Sequence, residues 1–416
     1  MPLHPHQPVE RSEEIIDQAE IRLVLDSRGD LKFTGAEIIE TVNLTYKSLN
    51  LVPKIVPDDS LAYILFTSGS TGKPKGVMIT RGNLGAFMDS FLKTGIQIDE
   101  NDRCLQCFDL TFDVSVQSFL VPLTKGACVY TIPHDQIKYS YVYGLLEDHQ
   151  LTFGAMAPSM IRYLRPYFDE IRVPAMRYNI VTAEASPLDL LMEWSECIPN
   201  AEIYDFYGPT EATIYCTYHK FSREGANKQL NGMLSIGKPM DGLKAIVVDD
   251  DGKVQGANQK GELCISGEQL TPGYWKNPEK NRDSFFEKEL DGSLFRFYRT
   301  GDSCFFDEDG DIMLAGRLDY QVKIQGYRIE LGEIEYHARE FLKGQNAIAV
   351  PVDNHLGNTE IALFVEGALA GEAELVNYLQ GKMPYYMMPS RILVEPVFDL
   401  NTSGKVDRIK LKNKLA

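Results

Sequence analysis

The sequence predicts an α/β protein built from a large first part and a smaller second part. Between residues 81 and 200, short apolar runs alternate with segments of helical spacing, an order typical of a mainly parallel sheet. From about residue 232 short strands dominate, which predicts a β-rich lobe. After about residue 319 strands and helices alternate again. We therefore expect a second unit over residues 319–416.

Length and composition limit the class of protein. A chain of 416 residues is long for one hydrophobic core, which favours two or three lobes. The net charge of −17 argues against bulk nucleic-acid binding and against binding to an anionic membrane surface. Seven scattered cysteines do not resemble a secreted disulfide framework, and no apolar run reaches membrane-spanning length. We expect no nucleic acid and no membrane as partner, and a cytoplasmic location.

Local signals define the elements of the first part. After a proline-rich stretch over residues 2–11, a helix is expected over residues 12–19 with Ser12 as its N-cap. Further helices are expected over residues 81–92 and 136–149, and Ser186-Pro187 is a typical helix start. The expected strands are residues 22–25, 63–66, 77–79, 127–132, 153–157, 176–183 and 203–205.

The later elements are shorter. A hairpin with an acidic turn is expected over residues 245–254, and a strand over residues 261–267. The second unit is expected to contain two strands and two helices, at residues 347–352, 361–365, 332–342 and 372–379.

The most informative stretch joins two of these strands. The apolar run that ends at Phe66 continues into Thr67-Ser68-Gly69-Ser70-Thr71-Gly72 and then Lys73-Pro74-Lys75-Gly76. Glycines let backbone N–H groups approach an anion, and the hydroxyls and lysines add donors and charge. The common nucleoside-triphosphatase loop differs, because it needs four residues between its glycines and a Gly-Lys-Ser/Thr end. The stretch predicts a phosphate cradle, and a flexible surface loop is the plainer alternative.

Three further segments could supply charged groups to such a site. Gly208-Pro209 forces a turn that presents Thr210 and Glu211 at the carboxyl end of a strand, where α/β sites form. A carboxylate beside a phosphate cradle suits Mg²⁺. The segment Tyr298-Arg-Thr-Gly-Asp302 is expected to end another strand, and Asp302 could accept hydrogen bonds from vicinal ribose hydroxyls. Lys405 follows a glycine and could act as a mobile point charge. Taken singly, each segment could be an ordinary surface turn.

In this order, the four segments resemble the signature motifs of the adenylate-forming superfamily. The long segment Gly316-Arg-Leu-Asp-Tyr-Gln-Val-Lys-Ile-Gln-Gly-Tyr-Arg-Ile-Glu330 is similar to that of nonribosomal peptide synthetase adenylation domains. The resemblance implies an acyl-adenylate-synthetase-like α/β fold. A large core domain would span residues 1–318, with a β-rich lobe at about 232–318, and a small mobile α+β lid domain would span residues 319–416. The family's stretch matching residues 2–11 follows about a quarter of the domain, so the chain is expected to lack that N-terminal portion.

The resemblance also implies ATP and Mg²⁺ as cofactors and gives roles to single residues. Glu211 would hold Mg²⁺, Thr210 would contact the α-phosphate, and Lys405 would bridge the substrate carboxylate and phosphate oxygens. Asp319 matches the hinge residue about which the lid domain swings, and Gly326 would face the site after the swing. The implied nucleotide-binding residues are Thr67, Ser68, Gly69, Ser70, Thr71, Gly72, Lys75, Asp205, Tyr207, Asp302 and Arg317.

Asp113 indicates the substrate class, because the family's amino-acid-activating branch places an aspartate there to hold the α-ammonium group. The implied substrate pocket is Asp113, Val114, Gln117, Ala155, Val181, Ala183, Phe206, Ile214 and Tyr215. It carries no second charge, so lysine, ornithine, aspartate and glutamate fit poorly. A small neutral amino acid such as proline is expected.

The predicted function is therefore ATP-dependent adenylation of an amino acid. The product would pass to the phosphopantetheine thiol of a carrier protein in trans, because no carrier domain follows Lys405. Two alternatives stay open. One is an acyl-CoA or acyl-acid ligase of the same superfamily, and the other is a truncated, non-catalytic nucleotide-binding remnant.

Overall fold

The helices lie along the whole chain. The computed structural model describes residues 1–27, 29, 33–45, 52, 54–69, 73–133, 135–225, 227–400 and 406–415. Within these residues the α-helices are α1 Val9–Gln18, α2 Arg81–Leu92, α3 Val114–Thr124, α4 Lys138–His149, α5 Pro158–Leu164, α6 Leu188–Cys197, α7 Pro278–Ser284, α8 Leu331–Phe341, α9 Glu372–Lys382 and α10 Arg408–Asn413.

The strands fall into a first group that precedes residue 240 and a second group that follows it. The first group is β1 Leu23–Asp26, β2 Glu37–Glu40, β3 Leu61–Thr67, β4 Lys75–Thr80, β5 Arg103–Gln106, β6 Cys128–Thr131, β7 Phe153–Met156, β8 Tyr178–Thr182, β9 Glu202–Tyr207, β10 Thr217–Lys220, β11 Gln229–Leu230, β12 Met233–Leu234 and β13 Lys238–Pro239. The second group is β14 Leu243–Val248, β15 Gly261–Gly267, β16 Gly273–Tyr274, β17 Phe285–Leu290, β18 Ser293–Phe306, β19 Ile312–Arg317, β20 Gln321–Ile324, β21 Tyr327–Glu330, β22 Ala347–Asp353, β23 Thr359–Glu366 and β24 Arg391–Glu395.

A seven-stranded sheet in the order β13-β10-β9-β8-β7-β5-β6 forms the centre of the first part. Strands β9, β8, β7, β5 and β6 run parallel to one another. Strand β10 is antiparallel to both of its neighbours, β9 and β13. A parallel sheet needs apolar cover on both faces. One buried cluster joins the sheet to α4, α5 and α6, and a second joins it to α2 and α3. Because β8 and β9 are parallel, their carboxyl ends lie at the same edge of the sheet.

Smaller sheets flank this edge. Strand β4 pairs with both β3 and β16 in a three-stranded sheet. Strands β14, β15, β18, β17 and β19 form the β-rich sheet that the sequence predicts. The elements from β20 to α10, called the C-terminal segment below, contain the hairpin β20–β21 and the three-stranded sheet β22-β23-β24. Helices α8 and α9 share a separate buried cluster with the sheet β22-β23-β24. The boundary at residue 319 stays a prediction.

Most expected elements are confirmed within a few residues, and α2 has the expected bounds. The start of α1 is wrong, because the helix begins at Val9 with Pro8 at the N-cap. Ser12 instead lies inside the helix, where its N–H donates to the Pro8 carbonyl at 3.0 Å. Pro8 has a φ of −52°, which prepares the chain for the helix before Ser12 is reached. None of the described helices is both long and apolar enough to cross a membrane.

A buried polar pair inside the central sheet yields a test of this fold. The Asn179 amide, on β8, donates to the Gly154 carbonyl at 2.8 Å and accepts from the Trp194 indole N–H at 3.0 Å. We expect Asn179→Ala to lower the free energy of unfolding by about 2–4 kcal/mol, because two buried polar groups lose their partner. Asn200→Ala, at an exposed amide, should change it by less than about 1 kcal/mol. Equal urea midpoints for the two variants would contradict this assignment.

Candidate active site

Glu211 is a buried carboxylate held by two hydrogen-bond donors and by a nearby lysine. It lies in the short turn Thr210–Ala212 after β9 and is fully buried. Its Oε1 accepts from the Tyr274 hydroxyl at 2.7 Å and lies 3.6 Å from Lys75 Nζ. Its Oε2 accepts from Arg328 at 2.8 Å. Burial alone would raise the pKa of Glu211, but Arg328 and Lys75 hold it well below its usual range. The carboxylate is therefore ionised and already compensated by cations.

A second carboxylate, Asp302, lies on β18 near the junction with the C-terminal segment. It accepts hydrogen bonds from the Tyr207 hydroxyl and from Arg317, whose Nη1 lies 2.9 Å from Oδ1. Arg317 also forms a two-point contact with Asp319, at 2.9 and 2.6 Å. The arginine thus joins the expected ribose ligand to the expected hinge residue. The hinge role of Asp319 stays a prediction.

Lys323 comes from the C-terminal segment into the same region. Its Nζ lies 5.4 Å from the centroid of the Tyr207 ring. Burial lowers the pKa of Lys323, while the nearby Asp302 and Asp113 carboxylates oppose the shift. The motif-by-motif prediction missed this lysine, although it stands inside the quoted segment that ends at Glu330.

The phosphate-loop residues lie against the C-terminal segment. The Ser68 hydroxyl donates to the Arg328 carbonyl at 2.8 Å and accepts from the Glu330 N–H at 3.1 Å. The Gly69 N–H donates to the Glu333 carboxylate at 3.2 Å. An N–H of this loop therefore binds an anionic group, as a phosphate cradle requires.

The loop is tightly turned at its start. A Cβ added to Gly69 would stand 2.0 Å from the Lys73 carbonyl oxygen, so no larger residue fits there. The Thr67 hydroxyl is buried and has no hydrogen-bond partner among the described residues. The expected ligands Ser70, Thr71 and Gly72 lie outside the described residues.

Asp113 is a buried carboxyl group with one unpartnered oxygen. It precedes α3, is 3% exposed, and its Oδ2 has no hydrogen-bond partner within the described part of the chain. Burial raises the pKa of Asp113 to about 6, and Thr210 opposes the shift. One helical turn later, the fully buried Gln117 accepts from the Tyr215 hydroxyl at 3.4 Å, while its amide nitrogen is unpaired among the same residues. Buried polar atoms without partners are costly, which favours a polar ligand here.

The apolar residues of the expected pocket come from three neighbouring strands. Ala155 lies on β7, Val181 on β8 and Phe206 on β9, which are adjacent in the sheet. Phe206 is 1% exposed and packs against Tyr215, with ring centroids 4.9 Å apart. Val114 is also buried, at the start of α3. The pocket residues are thus neighbours in space, although they are up to 102 positions apart in sequence.

Backbone strain marks the same region. Ala183, Thr213 and Ile214 have φ values of 74°, 56° and 72°, which L-residues rarely adopt. Strain of this kind persists where surrounding structure imposes it, and it clusters at functional sites.

The tip of hairpin β20–β21 closes over Ala183. Gln325 and Gly326 both have positive φ, as a two-residue hairpin turn demands. The Gly326 N–H donates to Glu184 at 2.8 Å, and a Cβ on Gly326 would lie 3.6 Å from Ala183 and 3.7 Å from Phe108. Gly326 therefore lies beside Ala183, one of the expected pocket residues, and the swing of a lid domain stays a prediction.

Asp205 and the nucleotide residues complete the arrangement. Asp205, on β9, is 3% exposed, and burial raises its pKa to about 8.

The structure brings the motifs at Thr67, Asp113, Glu211 and Asp302 to one edge of the central sheet. Lys405 and the four residues before it lie outside the described residues. Sequence reasoning missed Lys323, Arg328, Glu333, Glu184 and Tyr274; the first three stand in or just after the quoted hinge segment, and no motif marks the other two.

These residues fit ATP and Mg²⁺. Asp302 offers two carboxylate oxygens, Tyr207 offers an aromatic face, and Glu211 is an ionised carboxylate beside the loop that binds an anion at Gly69. Among the described residues no group of three or more His, Cys, Asp or Glu side chains could hold a metal ion. A single carboxylate suits Mg²⁺, which takes its other ligands from phosphate and water.

Comparison with known proteins defines the class. Residues 1–275 match the family of AMP-binding enzymes, and the chain belongs to that family. The adenylate-forming resemblance drawn from the motifs is therefore confirmed.

The particular relatives include nonribosomal peptide synthetases. Tyrocidine synthase 2 of Brevibacillus parabrevis is 31% identical over 98% of this chain, which spans only 11% of that protein. The D-alanine–D-alanyl carrier protein ligase of Bacillus licheniformis is 29% identical, over 99% of this chain and 85% of that protein. The adenylation domain AlmE of Vibrio cholerae, solved with glycyl-adenosine-5′-phosphate, matches with a TM-score of 0.85 at 25% identity, covering 100% of this chain and 83% of that one. The acyl-adenylate-synthetase-like fold is confirmed.

The raised pKa of Asp113 predicts a pH-dependent stability. Its folded pKa of about 6 exceeds the ordinary value of about 3.9, so the folded state binds more protons between these values. Stability then falls as pH rises through this window. We expect Asp113→Asn to raise the free energy of unfolding by about 1–3 kcal/mol at pH 8 and to have little effect at pH 4. Urea unfolding at both pH values tests this, and a variant less stable at pH 8 would contradict it.

Proposed function

We propose that the chain adenylates a small neutral amino acid with ATP and passes the aminoacyl group to a carrier-protein thiol. The observation that carries the proposal is the buried Asp113 carboxylate oxygen, which has no hydrogen-bond partner among the described residues. The other residues of the expected pocket are uncharged. A substrate α-ammonium group would satisfy this oxygen. The glycyl-adenosine-5′-phosphate bound in the AlmE structure supports a small substrate. Proline fits the same description.

The expected chemistry needs charge neutralisation more than proton transfer. The substrate carboxylate is already ionised, so no general base is required when its oxygen attacks the α-phosphorus and pyrophosphate leaves. Mg²⁺, when bound at Glu211, would neutralise charge on the phosphates. Thr210 and the N–H groups of the loop that begins at Ser68 would hold the phosphate oxygens, and Asp302 would orient the ribose. Lys405 would bridge the two reacting anions.

A cavity supports the second half of the proposal. It has a volume of about 1380 Å³ and is lined by residues 1–6, 106–112 and 325–327, among others. Gly326 and Phe108 line both this cavity and the approach to Ala183. The cavity could therefore admit a long thiol arm to an adenylate held in the pocket. Two of the matching solved structures contain an adenylation domain joined to a carrier domain, which supports a carrier protein as the partner.

A CoA ligase is the second candidate, because the same cavity would admit the pantetheine arm of CoA. An o-succinylbenzoate CoA synthetase shares the fold at a TM-score of 0.82.

The acidic chain, the family and the expected substrates all agree with a cytoplasmic enzyme.

The first half-reaction can be tested by amino-acid-dependent exchange of labelled pyrophosphate into ATP. We expect exchange with one small neutral amino acid. Lys405→Ala should lower the exchange rate about 100- to 1000-fold, because a cation that stabilises the transition state is lost. Lys412→Ala, at an exposed lysine on α10, should leave the rate within about twofold.

Two results would count against amino-acid adenylation. Exchange with aryl or fatty acids but no amino acid would favour the acyl ligase. No exchange from folded protein that binds ATP would favour the non-catalytic remnant.

A substitution at Gly326 should affect the second half-reaction, aminoacyl transfer, more than the first, adenylation. Gly326→Leu should slow aminoacyl transfer to a carrier protein about 100-fold, because the side chain would obstruct the approach to Ala183. It should slow exchange far less. Gly344→Leu is a matched control: Gly344 has a similar φ of +92° but open space around its Cβ position. Equal effects of Gly326→Leu on both half-reactions would contradict the proposed route.

A further inference from the structure

The hydroxyl of Tyr63 is a buried polar group to which neither the motifs nor the proposed function gives a role. Tyr63 lies on β3, the strand that leads into the phosphate loop. Its hydroxyl oxygen is buried and has no hydrogen-bond partner among the described residues. A buried hydroxyl without a partner costs free energy, so a ligand that would satisfy it is the first explanation to test.

The local structure of β3 sets the direction of this side chain. A β-bulge interrupts the pairing of β3 with β4 between Leu61 and Tyr63, after which Tyr63 pairs with Ile79. Bulges re-aim side chains and are frequent next to active sites. From Tyr63 to Thr67 the pairing is regular, so these two side chains lie on the same face of the strand. That face carries two buried hydroxyls that lack partners in the described part of the chain, one of them at the expected phosphate loop.

The ring of Tyr63 lies against the expected substrate pocket. It packs on the buried cluster that contains Val114, Phe206 and Tyr215. The Asp113 carboxylate is also near, because burial and this carboxylate together raise the pKa of Tyr63 well above its usual value. The unpartnered hydroxyl is therefore close to the residue that is expected to bind the amino group of the substrate.

A second tyrosine near Asp113 already has a partner. The Tyr215 hydroxyl donates to the Gln117 amide oxygen at 3.4 Å. By contrast, the Tyr63 hydroxyl and Oδ2 of Asp113 each lack a hydrogen-bond partner among the residues that the structure describes. A hydroxyl and a carboxylate within reach of each other would form a strong hydrogen bond. These two oxygens do not, so a group that lies between them could contact both.

The chemistry of the two oxygens indicates which group would bind there. Burial raises the pKa of Asp113 only to about 6, so its carboxylate is charged at pH 8 and can only accept hydrogen bonds. A carboxylate or phosphate between the two oxygens would be repelled by Asp113. An ammonium group has several N–H donors, so it can donate both to Asp113 and to the lone pairs of the Tyr63 hydroxyl.

We propose that the Tyr63 hydroxyl is a second ligand, together with Asp113, for the α-ammonium group of the substrate amino acid. The inference rests on the proposed function, because it takes the pocket beside Asp113 as the amino-acid site. Tyr63 binds the substrate in this scheme and takes no part in proton transfer. Without substrate its hydroxyl is buried and unsatisfied, so Tyr63 strengthens substrate binding and lowers the stability of the free protein.

The test compares Tyr63→Phe with the parent, because this change removes the hydroxyl and keeps the ring. In amino-acid-dependent pyrophosphate exchange at pH 8, the KM for the amino acid should rise about tenfold or more, since a hydrogen bond to a charged group is lost. The KM for ATP should stay within about twofold. Inhibition of exchange by the acid that lacks only the amino group should be equal in both proteins. Propionate serves for alanine, and cyclopentanecarboxylate serves for proline.

Urea unfolding without substrates gives an independent readout. Tyr63→Phe should raise the urea midpoint, because a buried hydroxyl without a partner is removed, whereas loss of a structural hydrogen bond would lower it. Tyr143→Phe is a matched control, because the Tyr143 hydroxyl donates to Glu170 at 3.0 Å in an exposed position. This control should change neither the KM for the amino acid nor the urea midpoint.

The outcomes separate this inference from the proposed function. An unchanged amino-acid KM in Tyr63→Phe, or equal weakening of the amino acid and of the acid without the amino group, would overturn the inference even where exchange in the parent supports adenylation. A lower urea midpoint in Tyr63→Phe would overturn it as well, because the hydroxyl would then have a partner in the free protein. A folded parent that shows no exchange with any amino acid would overturn both the inference and the proposed function.

Discussion

The compensated carboxylate of Glu211 is the interaction on which the candidate site depends. An ionised group in a fully buried position is stable only with partners, and Glu211 receives them from three directions. Lys75 lies on β4, Tyr274 lies on β16, which pairs with β4, and Arg328 lies on β21 in the C-terminal segment. One charge therefore ties together parts of the chain that are far apart in sequence.

The same requirement explains why this arrangement suits phosphate chemistry. A loop N–H that binds a carboxylate can bind a phosphate, and a carboxylate that binds guanidinium can bind a metal ion. The docked C-terminal segment fills both positions with groups of the appropriate sign.

Sequence reasoning located the motifs but not all of their partners. The strand-helix alternation, the β-rich lobe and the motifs at Gly69, Glu211 and Asp302 could be recognised because each is local. Tyr274 could not, because it is an ordinary residue in a two-residue strand until β16 pairs with β4. The start of α1 was misplaced for a related reason: Ser12 is a good cap in isolation, yet the helix begins at Val9, with Pro8 as its N-cap, and Ser12 is buried.

The sequence by itself determined the fold class, the family and the kinds of groups present, because glycine-rich turns, helical spacing and charged motifs act over a few residues. Only the tertiary structure decided which charges meet. One oxygen of Asp113 lacks a hydrogen-bond partner among the described residues, while Glu211 has two hydrogen-bond donors and a lysine beside it, although both are acidic residues in recognisable motifs. Burial and distance set the free energy of a charge, and both are properties of chain segments brought together by folding.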